Sequence, residues 1–298
     1  MIVLQNATTR LELLPELGGA IASWTLLASG QPLLQSPVGD RYSWGKVACF
    51  PLVPWSNRIE HGGYQSAQGW LQLRCVLEDE PYPIHGTGWH QAWEAVEQSA
   101  QTALLRLVSE EPYPYQAEQK IALNEQGLLI ELSVVHQGHE PAWYGIGLHP
   151  FFPRWKHTRL QASARAVWFE KNQRFPRHER KIEGDWCFTK AKELPATLID
   201  HAFSGWNGEF SIIQPDAGYR LECLTEHSDT FILYTPPDKD FFCFEPVSHP
   251  INAHHLQDRP GLRLLQAGQR IDMKMLMQPI ALPAMDQEST VTRLARME

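Results

Sequence analysis

The stretch Asn124-Glu125-Gln126-Gly127-Leu128-Leu129-Ile130-Glu131-Leu132-Ser133-Val134-Val135 decides what kind of chain this is. After a turn signal at Asn124–Gly127, the side chains of Leu128, Ile130, Leu132 and Val134 share one face, and Glu131 and Ser133 take the other. A period of two, entered through a glycine turn, predicts a strand with one buried face. The pattern recurs in both directions. Arg10–Leu13 alternates, and Gly18–Gly19 turns the chain into Ala20–Trp24. Leu71, Leu73 and Cys75 alternate with Gln72 and Arg74, and Phe210 to Leu224 reads as a hairpin about Pro215–Gly218. Near the end Ile271, Met273, Met275 and Met277 form one face. Helical stripes are scarce. Turns roughly every ten residues from end to end predict an all-β chain built as a sandwich of antiparallel sheets.

Composition narrows the function classes. The 298 residues are 43% hydrophobic and 20% charged, which is ordinary for a globular protein with an ample core. A net charge of −8, with no Lys/Arg-rich run, argues against nucleic acid or an anionic membrane as partner. No stretch approaches the ~20 apolar residues of a membrane span, and the Met1 start lacks the order of a signal peptide, so a cytoplasmic location is expected. Five scattered cysteines without a C-x-x-C pair read as reduced, buried thiols. Eleven tryptophans are either core or platforms for sugar rings, and composition does not separate the two. No linker or charge block divides the chain, so residues 1–282 are expected to form one domain, followed by a polar C-terminal tail over 283–298. Arg154 to Asp185 is basic and irregular, a long excursion with one or two short strands. Glu80–Pro81–Tyr82–Pro83 and Glu111–Pro112–Tyr113–Pro114 echo each other, too briefly for a repeat.

Chemistry concentrates around Phe242-Cys243-Phe244-Glu245-Pro246-Val247-Ser248-His249-Pro250. A carboxylate in a Phe-rich strand is expensive to bury unless it is paired or used. Pro246 is expected to end the ladder just after Glu245, presenting the carboxylate where strand becomes loop. Three polar clusters are candidates to share a pocket with it: Ser56–Asn57–Arg58, Ile84–His85–Gly86 and Gly147–Leu148–His149–Pro150. Glu245 and His149 suit a general base and acid near neutral pH, although His149 also fits a core histidine and Glu245 an ion pair with Arg58. Arg58 offers a planar fork of donors for hydroxyls, and His85 before a glycine can approach a ligand closely. A surface salt bridge and a turn histidine are the alternatives for these two. His249, His254 and His255 match no zinc spacing, so no metal is expected. There is no P-loop, no G-x-G-x-x-G in a βαβ unit and no G-x-S-x-G elbow.

Five pieces in this order resemble the aldose 1-epimerase (galactose mutarotase) family, in its short bacterial form. They are Asn57–Arg58–Ile59, His85–Gly86, Leu148–His149–Pro150–Phe151–Phe152, Asp200–His201–Ala202–Phe203 and Phe244–Glu245–Pro246, within a likeness that covers roughly Leu11 to Gln278. The resemblance implies a β-supersandwich and a cofactor-free isomerase that interconverts the α and β anomers of a free aldose. By it, Glu245 is the base at the anomeric hydroxyl and His149 the acid at the ring oxygen, while Arg58, His85, Asp200 and Asn57 hold the sugar. Asp185, in Gly184–Asp185–Trp186, competes with Asp200 for its place. Trp55 and Phe151 are expected as apolar walls. The partner implied is a monosaccharide, bound by a monomer or homodimer. A hexose-phosphate epimerase of the same fold is the near variant; it needs a basic cluster, for which Arg154, Lys156 and Arg159 are the candidates. A sugar-binding module without catalysis is the alternative from another class, and a glycosidase using Asp200 with Glu245 is a third.

Overall fold

The computed structural model describes residues 1–39, 41–171 and 174–283, so the tail from Ala284 onward lies outside the described residues. The opening stretch forms the hairpin Tyr115–Asn124 and Gly127–His136, with Asn124 opposite Gly127. Leu128, Ile130, Leu132 and Val134 are buried. This hairpin lies within a nine-stranded antiparallel sheet. There, Gly127–His136 pairs on its other side with Arg270–Ala281, which buries Ile271, Met273, Met275 and Met277. The Phe210–Leu224 hairpin is present as Glu209–Gln214 and Tyr219–Glu226. Its turn places Gly218 at φ 71°, a left-handed conformation that glycine adopts without penalty.

A second, eleven-stranded sheet packs against the first. Trp24, Phe203, Phe231, Phe242 and Phe244 from this sheet join the methionines of the other in one apolar core. The other face of the eleven-stranded sheet carries a separate cluster that includes Phe50, Phe151, Ile232 and Cys243. Alternation along Phe241–Val247 therefore sends Phe242 and Phe244 inward to the sandwich core, and Cys243 and Glu245 outward to the second cluster.

Three departures from the sequence expectations bear on the site. The strand does not end at Glu245, because it runs through Pro246, opposite Phe231, to Val247. The proline is accommodated by a gap on the other side of the strand. Gly147–Pro153 is registered against it at Gly147–Val247 and again at Phe151–Cys243, with no pairing between. Pro150 and Pro246 both lie in that interval and neither has an N–H to donate. Among the described residues, the excursion from Arg154 holds three short strands, Arg159–Ala162, Ala166–Trp168 and Glu179–Lys181, rather than one or two. The alternating segment after Leu71 pairs only through Gln72, in the small hairpin Gly63–Ser66 and Gly69–Gln72. All five cysteines are free, but Cys75 and Cys187 are exposed rather than buried. Among the described residues no helix is long and apolar enough to cross a membrane.

Candidate active site

The gap in the ladder positions the central pair. Continuing the register from Gly147–Val247 to Phe151–Cys243 puts His149 opposite Glu245, and the two side chains meet across the gap. Nε2 of His149 lies 3.4 Å from Oε1 of Glu245. On its other side His149 is opposite Phe50 of Cys49–Leu52, and the imidazole lies against two phenylalanine rings. Its ring stacks on Phe50 at 4.6 Å and on Phe151 at 4.7 Å. Burial lowers the His149 pKa to about 3. Burial also raises Glu245 well above the usual carboxylate range, with Asp200 adding to the shift and Arg58 opposing it. Both groups therefore favour their neutral forms, and one transferable proton resides on the pair. The second carboxyl oxygen, Oε2, is buried without a hydrogen-bond partner. A buried polar atom left unpaired costs about 1–3 kcal/mol, so a ligand that satisfies it gains from doing so.

Two loops close in around the pair. Asn57 and His85 both have left-handed backbones, at φ 55° and 63°, and they lock one another. The His85 N–H donates to the Asn57 carbonyl at 3.0 Å, and the Asn57 N–H donates to His85 Nδ1 at 3.2 Å. That bond leaves the proton of the neutral imidazole on Nε2, as a donor. Burial, then the neighbouring His149 and Arg58, holds the His85 pKa well below its usual value. Its ring lies edge-on to His149 at 5.1 Å. The Asn57 side-chain oxygen accepts from the Arg58 N–H at 2.9 Å and from Nη1 at 3.3 Å, so Asn57 braces Arg58. Nη1 of Arg58 lies 3.8 Å from Oδ2 of Asp200. Exposure rises outward from the pair, from 3% at the Glu245 side chain to 20% at Arg58 and 35% at Asp200. The site is open on the Asp200 side.

The structure thus brings together all six residues singled out for the site. It also separates the alternatives. Asp185 is 91% exposed and pairs with Lys192, whereas Asp200 lies beside Arg58, so geometry favours Asp200. Glu245 faces His149, and the ion pair of Arg58 is made instead with Glu80, whose Oε2 accepts from Nε at 2.7 Å. Phe151 lines the pair, whereas Trp55 belongs to a separate cluster with Ile59, Tyr64 and Leu73. His249 is structural, taking the Ser56 N–H on Nε2 and bonding the Pro250 carbonyl through Nδ1. Arg154 is spent on the carbonyls of Pro195 and Pro236, and Arg159 lies in the nine-stranded sheet. The basic residue that does arrive from the excursion is Arg174, on both oxygens of Glu80 at 3.0 and 2.8 Å. Phe50, Glu80 and Arg174 were not legible as site residues. Phe50 precedes Pro51 in an apolar run like any core strand, and Glu80 showed only in its echo with Glu111.

His149, Cys243 and Glu245 place a ring nitrogen, a thiol sulfur and a carboxyl oxygen within 4.8 Å of one another. This is the grouping among the described residues that could hold a metal. Burial keeps the Cys243 thiol strongly in its neutral form, and an ion there would occupy the His149–Glu245 pair itself.

Comparison with known proteins gives the family. The aldose 1-epimerase family model matches residues 1–278. The chain belongs to that family. This epimerase-family chain is 33% identical over 248 residues to the uncharacterized protein YphB of Escherichia coli (strain K12), across 77% of this chain and 82% of that one. Its fold matches the crystal structure of a candidate aldose 1-epimerase from Escherichia coli K12, with TM-score 0.87 and 28% identity over 94% of this chain and 98% of that one. It also shares the fold of galactose 1-epimerase from Lactobacillus acidophilus, with TM-score 0.74 at 17% identity, covering 94% of each chain.

Proposed function

We propose that this aldose 1-epimerase family member interconverts the α and β anomers of a free aldose by opening and reclosing its ring. The observation that carries the reading is the opposed His149–Glu245 pair, 3.4 Å apart, with Oε2 of Glu245 unpartnered. The anomeric hydroxyl and the ring oxygen are bonded to the same carbon. An acid and a base that serve both must therefore lie close together, as these do.

With the proton shifted from Glu245 to His149, Glu245 takes the proton of the C1 hydroxyl. The electrons of that O–H bond form the C1 carbonyl while the bond from C1 to the ring oxygen breaks. The ring oxygen keeps those electrons and takes the proton of His149. Rotation about C1–C2 presents the other carbonyl face, and the ring hydroxyl adds to it with the same protons returning. The pair begins and ends with one proton, so nothing is consumed and no cofactor is required. His85 Nε2–H is the donor placed beside His149, and Arg58 with Asp200 offers donors and an acceptor to the remaining hydroxyls. Acid and base catalysis of ~10²–10⁴-fold each remove about 5–11 kcal/mol together, enough for a reaction that proceeds unaided.

The test is the relaxation of freshly dissolved α-D-glucose and α-D-galactose, followed by polarimetry with wild type and Glu245→Gln. Acceleration by the wild type and none by the variant is expected. If no aldose is accelerated although sugars bind, the chain is a binding module. Release of phenol from an aryl glycoside would make it a glycosidase.

A further inference from the structure

The proposed reaction leaves Glu80 unused, and its setting is unusual. It is a carboxylate only 10% exposed that holds two guanidinium groups at once. Arg58 reaches it through Nε at 2.7 Å, and Arg174 through Nη2 at 3.0 and 2.8 Å. The Arg174 guanidinium also lies over the Tyr82 ring at 5.2 Å, and Tyr82 meets Phe175 edge-on at 4.9 Å. Glu80 therefore does two things. It fixes Arg58 by its Nε edge, which turns Nη1 toward Asp200 at 3.8 Å and leaves Nη2 without a hydrogen bond among the described residues. It also occupies the positive groups on the open side of the site. Two guanidinium groups stand against the carboxylates of Glu80 and Asp200, so the local charge cancels.

Resting on the reading above, we infer that Glu80 is the specificity-determining residue that restricts this site to uncharged aldoses and turns away their phosphates. A phosphate would need the bidentate donors of Arg58 and Arg174, and Glu80 already holds both. A neutral sugar needs only single donors in fixed places, and the clamped Arg58 supplies them. Of the three candidates for a separate phosphate cluster, Arg154 is held on backbone carbonyls, Arg159 lies in the other sheet and Lys156 is exposed beside Asp216. Glu80 is a positioning residue, because it reaches the sugar only through the arginines.

The experiment compares KM and kcat for D-galactose and D-glucose with those for their 6-phosphates. In Glu80→Gln the neutral-sugar KM should rise about tenfold, the effect of losing a charge-assisted bond, with kcat within about threefold. The 6-phosphate should improve, so that the wild-type preference narrows by more than tenfold. Glu80→Asp, which restores the charge, should recover the preference. Arg174→Gln should act in the opposite sense, sharpening rejection of the 6-phosphate relative to the neutral sugar. It also keeps the inference testable if Glu80→Gln does not fold. A sugar-to-phosphate ratio that stays fixed in both variants, or that moves in the same direction in both, overturns the inference. A purely structural role would lower the melting temperature without changing the ratio. If the wild type accelerates neither sugar, the proposed function falls. Calorimetric binding of the same four ligands then reads the same ratio.

Discussion

At the scale of single residues, burial is what sets the chemistry. His149 and Glu245 sit in an aromatic and sulfur-lined setting that favours neutral forms of both, and the proposed mechanism uses one proton shared between them. The sign of the pH dependence follows. As pH falls through about 3, His149 gains a proton, the pair holds two, and no base remains. As pH rises through the raised value of Glu245, the pair loses its proton and no acid remains. Between these limits the rate is expected to be flat, so mutarotation from pH 4 to 10, corrected for the uncatalysed rate, should show no acid limb near the usual His value of about 6.5. An acid limb centred there would mean that His149 keeps its ordinary affinity for protons. The titration belongs to the pair, and a single variant should move both limbs. Much of this was legible in the sequence. A lone Glu in a Phe-rich strand and a His between Gly147 and the prolines marked the pair. Glu80 was not, because its meaning lies in Arg58 and Arg174, 22 and 94 positions away.

At the scale of elements, period two carried the reading furthest. It gave the strands, and within Phe241–Val247 it distinguished the inward phenylalanines from the outward Cys243 and Glu245. It failed at Pro246, where a rule about isolated strands met a sheet that opens its ladder to admit two prolines. That opening holds the candidate His149–Glu245 pair. The loops are held to it by close backbone contacts, most tightly at Gly86. Its φ is +71°, and a Cβ there would stand 2.0 Å from the Val53 carbonyl oxygen. Thr87 and Gly88 donate to that same oxygen. Gly218 is the natural control, with the same φ and open space where a Cβ would lie. Gly218→Ala should cost only the left-handed strain of about 1–2 kcal/mol and leave turnover unchanged. Gly86→Ala should cost more in thermal melts and should also lower kcat, because His85 and Asn57 must shift with the loop. Equal effects of the two substitutions would show that the loop tolerates the displacement.

At the scale of the molecule, two sheets share one core, and the candidate site lies on the face of the larger sheet that the core does not use. Sequence periodicity could find that sheet but not say which loops cover it. Coverage depends on contacts between residues far apart in the chain, such as Arg174 with Glu80 and Arg177 with Glu60. The claim on which everything else rests is that His149 and Glu245 act as one unit. A double-mutant cycle on kcat tests it most directly, using Glu245→Gln, His149→Asn and the two combined, with polarimetry as the readout. Each single variant should lose most of the ~10⁴–10⁸-fold that acid and base catalysis supply together. The double variant should lose no more than about tenfold beyond the worse single, because removing either member already leaves the proton nowhere to go. Losses that multiply would contradict the shared-proton pair, and wild-type turnover in either single variant would remove that residue from the chemistry.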